Sequence, residues 1–378
     1  MWCAPLCLNI LRSARVGENL RTDREWERHS IGKGPPPGGG TMKTMKKSYI
    51  RQGVFPVLAA MIWGAAFVFQ EIAFERGMET FTFNTLRSVT AAITLSVGVL
   101  ICRLARRAAG ARTGFGIPES EEKASGGARG SVRMLVLGGL SCGTMLAIAT
   151  GLQQYGIALG TTAGKAGFIT TLYIVLVPLI GLFFGKKVTP LIWGSVVLAG
   201  AGLYFLCVGG ESFRIAAGDL LMIACAVGFS LHILCVDYFS SRVSGVLLSC
   251  VQFAVMAVES GICMLLLEKP DLSVIVASIG PILYVGVMSS AVGYTLQILA
   301  QKDANPTVVS LLLSLESVFS VITSIIILHR HPEGREYVGC ALMLTAVILA
   351  QLPRGFFRRL RPGREKKVYG TTEDRGAH

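Results

Sequence analysis

Glu316 is the only charged residue of "LLLSLESVFSVITSIIIL", Leu311 to Leu328. A charge placed at mid-depth in hydrocarbon costs about 2.5–3.5 kcal/mol or more, so such a carboxyl should face the interior of a helix bundle and mark an ion or solute path. Its chemistry is proton carriage and charge pairing. Three further charges, Glu71, Arg87 and Lys165, interrupt apolar runs. At about 1.5 Å per residue, Arg87 and Lys165 lie roughly 5–8 Å into their runs and Glu71 about 26 Å along its own. All three are expected in the outer third of a membrane as a charged cluster, where Lys165 acts as a gate or snorkels to the headgroups.

The elements that must position these residues are membrane spans. Of 378 residues, 52% are hydrophobic and 16% charged, and the mean hydropathy is +0.57. Runs near the ~20 residues that cross ~30 Å of hydrocarbon as a helix fall at 54–74, 82–104, 132–157, 162–185, 190–209, 217–239, 244–267, 276–301, 306–328 and 336–352. The runs are continuously apolar, which excludes an alternating barrel. The expected fold is an all-α membrane protein with ten transmembrane helices. Residues 1–50 read as a disordered basic tail and 353–378 as a second basic tail, with a polar loop at 108–130. A chain starting at Met42 is expected to insert and transport as the whole one does.

Basic residues set the orientation. With the N-terminus inside, 29 of the 36 Lys and Arg lie on the inner side, five lie outside, and Arg87 and Lys165 fall within spans. The positive-inside rule then puts both ends in the cytoplasm. The net charge of +13 follows from this asymmetry and from anionic headgroups, so no nucleic acid is required. The ten cysteines form no CxxC pair and the five histidines no metal site; His232 reads as sitting alone on its helix.

The chain also repeats itself. A shift of 143 places Gln154 on Gln297, Thr171 on Ser314, Leu172 on Leu315 and Tyr173 on Glu316, and a shift of 164 places Gly64 on Gly228. Two halves of five spans, 54–209 and 217–352, follow. Five is odd, so the second half enters from the opposite side: an inverted repeat, an architecture that lets two halves rock about a midplane site. Tyr173 is the repeat partner of Glu316, and Gln154 and Gln297 are expected to serve as hydrogen-bonding rims near opposite faces.

The motifs "W-G-x-x-F" (Trp63, Gly64, Phe67), "L-R" (Leu86, Arg87), "Q-Y-G-x-x-x-T-T-A-G-K-A-G-F-I-T" around the fourth span and "L-x-S-L-E-S-V-F" in the ninth resemble the EamA-type members of the drug/metabolite transporter superfamily, over residues 54–352. The resemblance implies movement of small metabolites, amino-acid or drug export among them, through a cavity between the halves, with spans five and ten peripheral. It brings Trp63 in as a site residue. The ninth span departs from the family's closing "L-G-E", having "LHRHPEGRE", so Glu333 receives no role.

The expected function is therefore secondary active transport of a small polar metabolite or drug-like compound across the plasma membrane, driven by a proton or an exchange ion. No P-loop couples it to ATP, no cofactor or metal is called for, and no nucleophile–base pairing or HExxH motif supports an enzyme. The alternative is a lipid-headgroup flippase. Expected partners are the solute and membrane lipids, with the chain a monomer or homodimer.

Overall fold

The computed structural model describes residues 50–108, 128–159, 169–185, 188–207, 217–302, 304–329 and 333–351. The readings made of the tail before residue 50, of 109–127, of Lys165 and of the 353–378 tail fall outside the described residues. Among the described residues every regular element is helical. In chain order these are α1 (Phe55–Glu75), α2 (Thr80–Ala108), α3 (Ala128–Ala158), α4 (Ile169–Phe183), α5 (Pro190–Cys207), α6 (Ala217–Ser240), α7 (Gly245–Leu267), the short α8 (Leu272–Ala277), α9 (Ile279–Gln301), α10 (Pro306–Leu328) and α11 (Gly334–Gln351). Seven of them, α1, α2, α3, α6, α7, α9 and α10, are long and apolar enough to cross a membrane, and α4 and α5 are shorter apolar helices.

Local chemistry sets several boundaries. Pro56 opens α1 and Pro306 opens α10, where a missing N–H costs nothing. The Asn305 side chain accepts from Thr307 N at 2.9 Å, capping α10. Gly77, with φ at +85°, turns the chain out of α1.

Burial runs opposite to that of a water-soluble domain. Leu100, Ile101, Leu104, Leu265 and Leu266 are exposed, while Gln70, Arg87, Gln153, His232, Gln297 and Glu316 are buried. Helices whose apolar side chains point outward and whose polar ones point inward are stable only with lipid around them.

The packing has an internal exchange symmetry. The main contacts pair α3 with α6, α1 with α9, α3 with α7, α2 with α9, α4 with α6, and α1 with α10. Swapping the first five long elements for the second five turns each of these pairs into another on the same list. The pairs α2–α7 and α5–α11 map onto themselves. The ends are matched too. Glu268, just after α7, accepts from the backbone N–H of Phe81 and Thr82 at 2.6 Å each and from the Thr82 hydroxyl at 2.9 Å, so the end of α7 meets the start of α2. Glu79 accepts from Lys269 N at 3.2 Å, and Arg76 bonds the Ala277 carbonyl beside them. A carboxylate from one half thus caps a helix of the other, satisfying donors that α2 leaves open and meeting its positive end.

Close approach elsewhere rests on glycine. A Cβ on Gly64 would lie 2.5–2.7 Å from Phe319 Cβ, the Glu316 carbonyl and Ser320 N, so α1 and α10 cross with their backbones nearly touching. Gly64→Ala is expected to cost about 1–3 kcal/mol through forced separation of the two helices, read as a lower melting temperature in detergent. Gly98→Ala, where nothing lies within 4 Å, should leave melting unchanged or slightly raised. Equal melting of the two variants would contradict the crossing. Glu268→Ala should likewise destabilise by about 0.5–2 kcal/mol, as loss of a helix cap does, while removal of the exposed Asp271 carboxylate, which bonds only its own short helix, should cost less.

Candidate functional site

Two helices are broken at matched positions. In α4 the regular pattern yields at Leu172, whose N–H bonds back to Ile169 O at 3.2 Å, and in α10 it yields at Ser314 and Leu315, where Leu315 N bonds Leu312 O at 3.3 Å and Ser317 N bonds Ser314 O at 3.2 Å. The α-helices resume at Tyr173 and at Glu316, 143 residues apart. The two side chains meet: the Tyr173 hydroxyl donates to Glu316 Oε1 at 2.9 Å. Beside them the Thr171 and Ser317 hydroxyls lie 3.4 Å apart. Discontinuous helices recur at the binding sites of membrane carriers.

A third irregularity lies in α9, whose Tyr284–Gly293 segment is π-helical. The wider turn directs polar groups toward α1 and α2. Ser289 O accepts from Trp63 Nε1 at 3.1 Å, and Ser290 Oγ takes Arg87 Nε at 3.2 Å. The Trp63 indole lies 4.7 Å, centroid to centroid, from the Tyr294 ring. Gly293 makes room for it, since a Cβ there would stand 2.6 Å from Trp63 Nε1.

These elements line a cavity of about 60 Å³, room for a few waters. It is lined by Trp63, Ala66, Phe67 and Gln70 from α1, Arg87 from α2, Thr150 and Gln153 from α3, and Thr170 and Tyr173 from α4. The other half supplies Phe229, His232 and Ile233 from α6, Ser289, Tyr294 and Gln297 from α9, and Leu313 and Glu316 from α10. No lining residue comes from α5, α7 or α11. The Tyr294 hydroxyl is within electrostatic reach of both Arg87 and Glu316. The Arg87 and Glu316 side chains nevertheless bond elsewhere, to Ser290 and to Tyr173.

Of the residues singled out from sequence, Glu316, Tyr173, Trp63 and Gln297 line this cavity. Gln154 is buried just behind it, donating Nε2 to Gln70 Oε1 at 2.7 Å. Arg87, grouped from sequence with Glu71 and Lys165, is 3% exposed and lines the same cavity as Glu316. Glu71, on α1, is not among the lining residues, and Lys165 is outside the described residues. His232 meets partners from other helices: its Nε2 lies 3.3 Å from Gln252 Oε1 and its ring edges onto Tyr294. Tyr294, Gln70, Gln153 and Thr170 escaped the sequence reading, and for the last three the signal that could have found them is the same one that found Glu316, a polar side chain inside an apolar run. Glu259 takes the Thr144 hydroxyl at 2.6 Å, away from the cavity. No group of three metal-ligating side chains occurs among the described residues.

Comparison with known proteins agrees with this architecture. A family model described as the EamA-like transporter family matches twice, at residues 53–208 and 216–352. An uncharacterized transporter from Archaeoglobus fulgidus is 28% identical over 318 residues, covering 83% of this chain and 89% of its own. A crystal structure described only as that of a protein superposes with a TM-score of 0.60 at 18% identity, over 79% of this chain and 97% of its own, a likeness of fold. The double match spans most of the sequence, and the chain belongs to the EamA-like transporter family.

Proposed function

We propose that the chain is a secondary carrier that moves a small zwitterionic solute by alternating access, through ten spans arranged as two inverted five-helix halves, 54–209 and 217–352. The observation that carries this reading is that the buried Arg87 and Glu316 line one cavity and yet bond elsewhere. Two opposite charges taken out of water are least costly when paired directly, and expensive when left apart. A solute whose charged end carries both a carboxylate and an ammonium satisfies both. The guanidinium suits the carboxylate because it offers parallel N–H donors, and Glu316 and the Tyr294 ring suit the ammonium.

Coupling follows from the same carboxyl. A proton and an ammonium compete for Glu316, so a cavity that opens alternately to each side exchanges one for the other. The matched breaks in α4 and α10 and the exchange symmetry of the packing support two end states of equal architecture, in which either half can take the open role. The excess of Lys and Arg in the inner segments supports a plasma-membrane orientation with cytoplasmic termini. The carrier uses no resident cofactor and works as a monomer or homodimer.

Binding to the solubilised full chain tests the solute class. Small zwitterions should bind, while their methyl esters and their 2-hydroxy acid analogues, each lacking one charge, should bind about ten-fold or more weakly, the scale of one lost charged hydrogen bond. Equal binding of all three would contradict the reading, and selective transfer of lipid-linked compounds would favour a flippase. In proteoliposomes, Glu316→Gln should leave a folded protein whose residual uptake no longer responds to an imposed proton gradient. A parent-like response would place coupling at another residue.

A further inference from the structure

Gln297 is 1% exposed and lines the cavity, yet its Oε1 has no hydrogen-bond partner. Its orientation is fixed by a relay. The backbone carbonyl of Ile233 can only accept, and it takes Gln301 Nε2 at 2.9 Å. Gln301 Oε1 is thereby turned to Gln297 and takes Gln297 Nε2 at 3.2 Å. What remains without a partner is the Gln297 amide oxygen, an acceptor. Flipping Gln297 would set two carbonyl oxygens against each other.

His232, also 1% exposed and lining the same cavity, has an unpartnered Nδ1. Its Nε2 faces Gln252 Oε1 at 3.3 Å. In the tautomer that donates Nε2–H to that oxygen, the neutral ring presents the Nδ1 lone pair. Gln297 on α9 and His232 on α6, both in the second half of the chain, thus hold two unpartnered acceptors on residues that line one cavity. Buried acceptors left without donors are costly, and a site built around them rejects a ligand that brings none.

Resting on the zwitterion reading, we propose that Gln297 Oε1 and His232 Nδ1 form an acceptor subsite that selects solutes whose side chain ends in an N–H or O–H donor over isosteres ending in a methyl group. Arg87 and Glu316 hold the charged end of the solute, and the two acceptors read its other end.

The test uses the full chain in proteoliposomes and counterflow uptake of two isosteric pairs, L-threonine with L-valine and L-glutamine with L-methionine. The parent should prefer the donor-bearing member of each pair by about ten-fold or more. Gln297→Met and His232→Phe should each bring the preference within about two-fold by slowing the donor-bearing solute, while uptake of valine and methionine persists and reports that the variant is folded. If one variant loses all uptake, the other decides. Equal uptake within each pair by the parent overturns the subsite, leaving water as the partner of both acceptors, and leaves the zwitterion reading standing. A preference that survives both substitutions overturns the subsite in the same way. Loss of all uptake in both variants also overturns it, because the residues would then maintain the cavity itself. Uptake of none of the four solutes by the parent overturns the zwitterion reading and the subsite with it.

Discussion

A hydrogen bond of 2.9 Å from Tyr173 to Glu316 joins the two broken helices at the point where the two halves of the chain meet. A carboxyl buried in a bundle that faces lipid needs a donor, and here the donor comes from the repeat-related residue of the opposite half. The breaks at Leu172 and at Ser314–Leu315 bring both side chains to the start of their resumed helices. Because each break unbalances its own backbone hydrogen bonding, both must lie where other protein groups can compensate, which in a membrane means the interior. The cavity is the consequence. Its walls come from α1, α2, α3, α4, α6, α9 and α10, while α5 and α11 pack on one another.

Holding such a site together in lipid requires means other than the hydrophobic effect, which gives no preference between helix contact and lipid contact. Here three devices share the work. Small residues let backbones approach, as Gly64 does against the Glu316 turn and Gly293 does beneath Trp63. A π-helical stretch of α9 turns Ser289 and Ser290 toward Trp63 and Arg87. At one end of the bundle Glu268 caps the other half's helix. Each device binds an element of the first half to an element of the second.

Membrane class and family were legible in the sequence because both are carried locally, by apolar runs and short motifs. Glu316 stood out as a lone charge, and the 143-residue shift pointed to Tyr173 as its counterpart; the structure puts the two in contact. Arg87 was legible as a charge but not as part of the cavity, since the rise of a helix says nothing about where a long side chain ends. The contact of His232 with Gln252 was not legible because the two are twenty residues apart in sequence and on different helices. The π-helical segment left no mark in the pattern, since its glycines and serines are equally common in ordinary spans. Tyr294 was missed because an aromatic residue in a span has the same appearance whether it packs in the core or faces a solute.

The central claim is that a solute ammonium and a proton share Glu316 while Arg87 holds the solute carboxylate. Its most direct measurement is the number of protons released when a zwitterion binds to the solubilised protein, obtained from titration calorimetry in buffers of different ionisation enthalpy. Near neutral pH the parent should release a fraction of a proton per solute bound, and the release should vanish in Glu316→Gln while that protein still folds. Binding by the parent with no proton released at any pH, or release that persists unchanged in the Gln variant, would contradict the account.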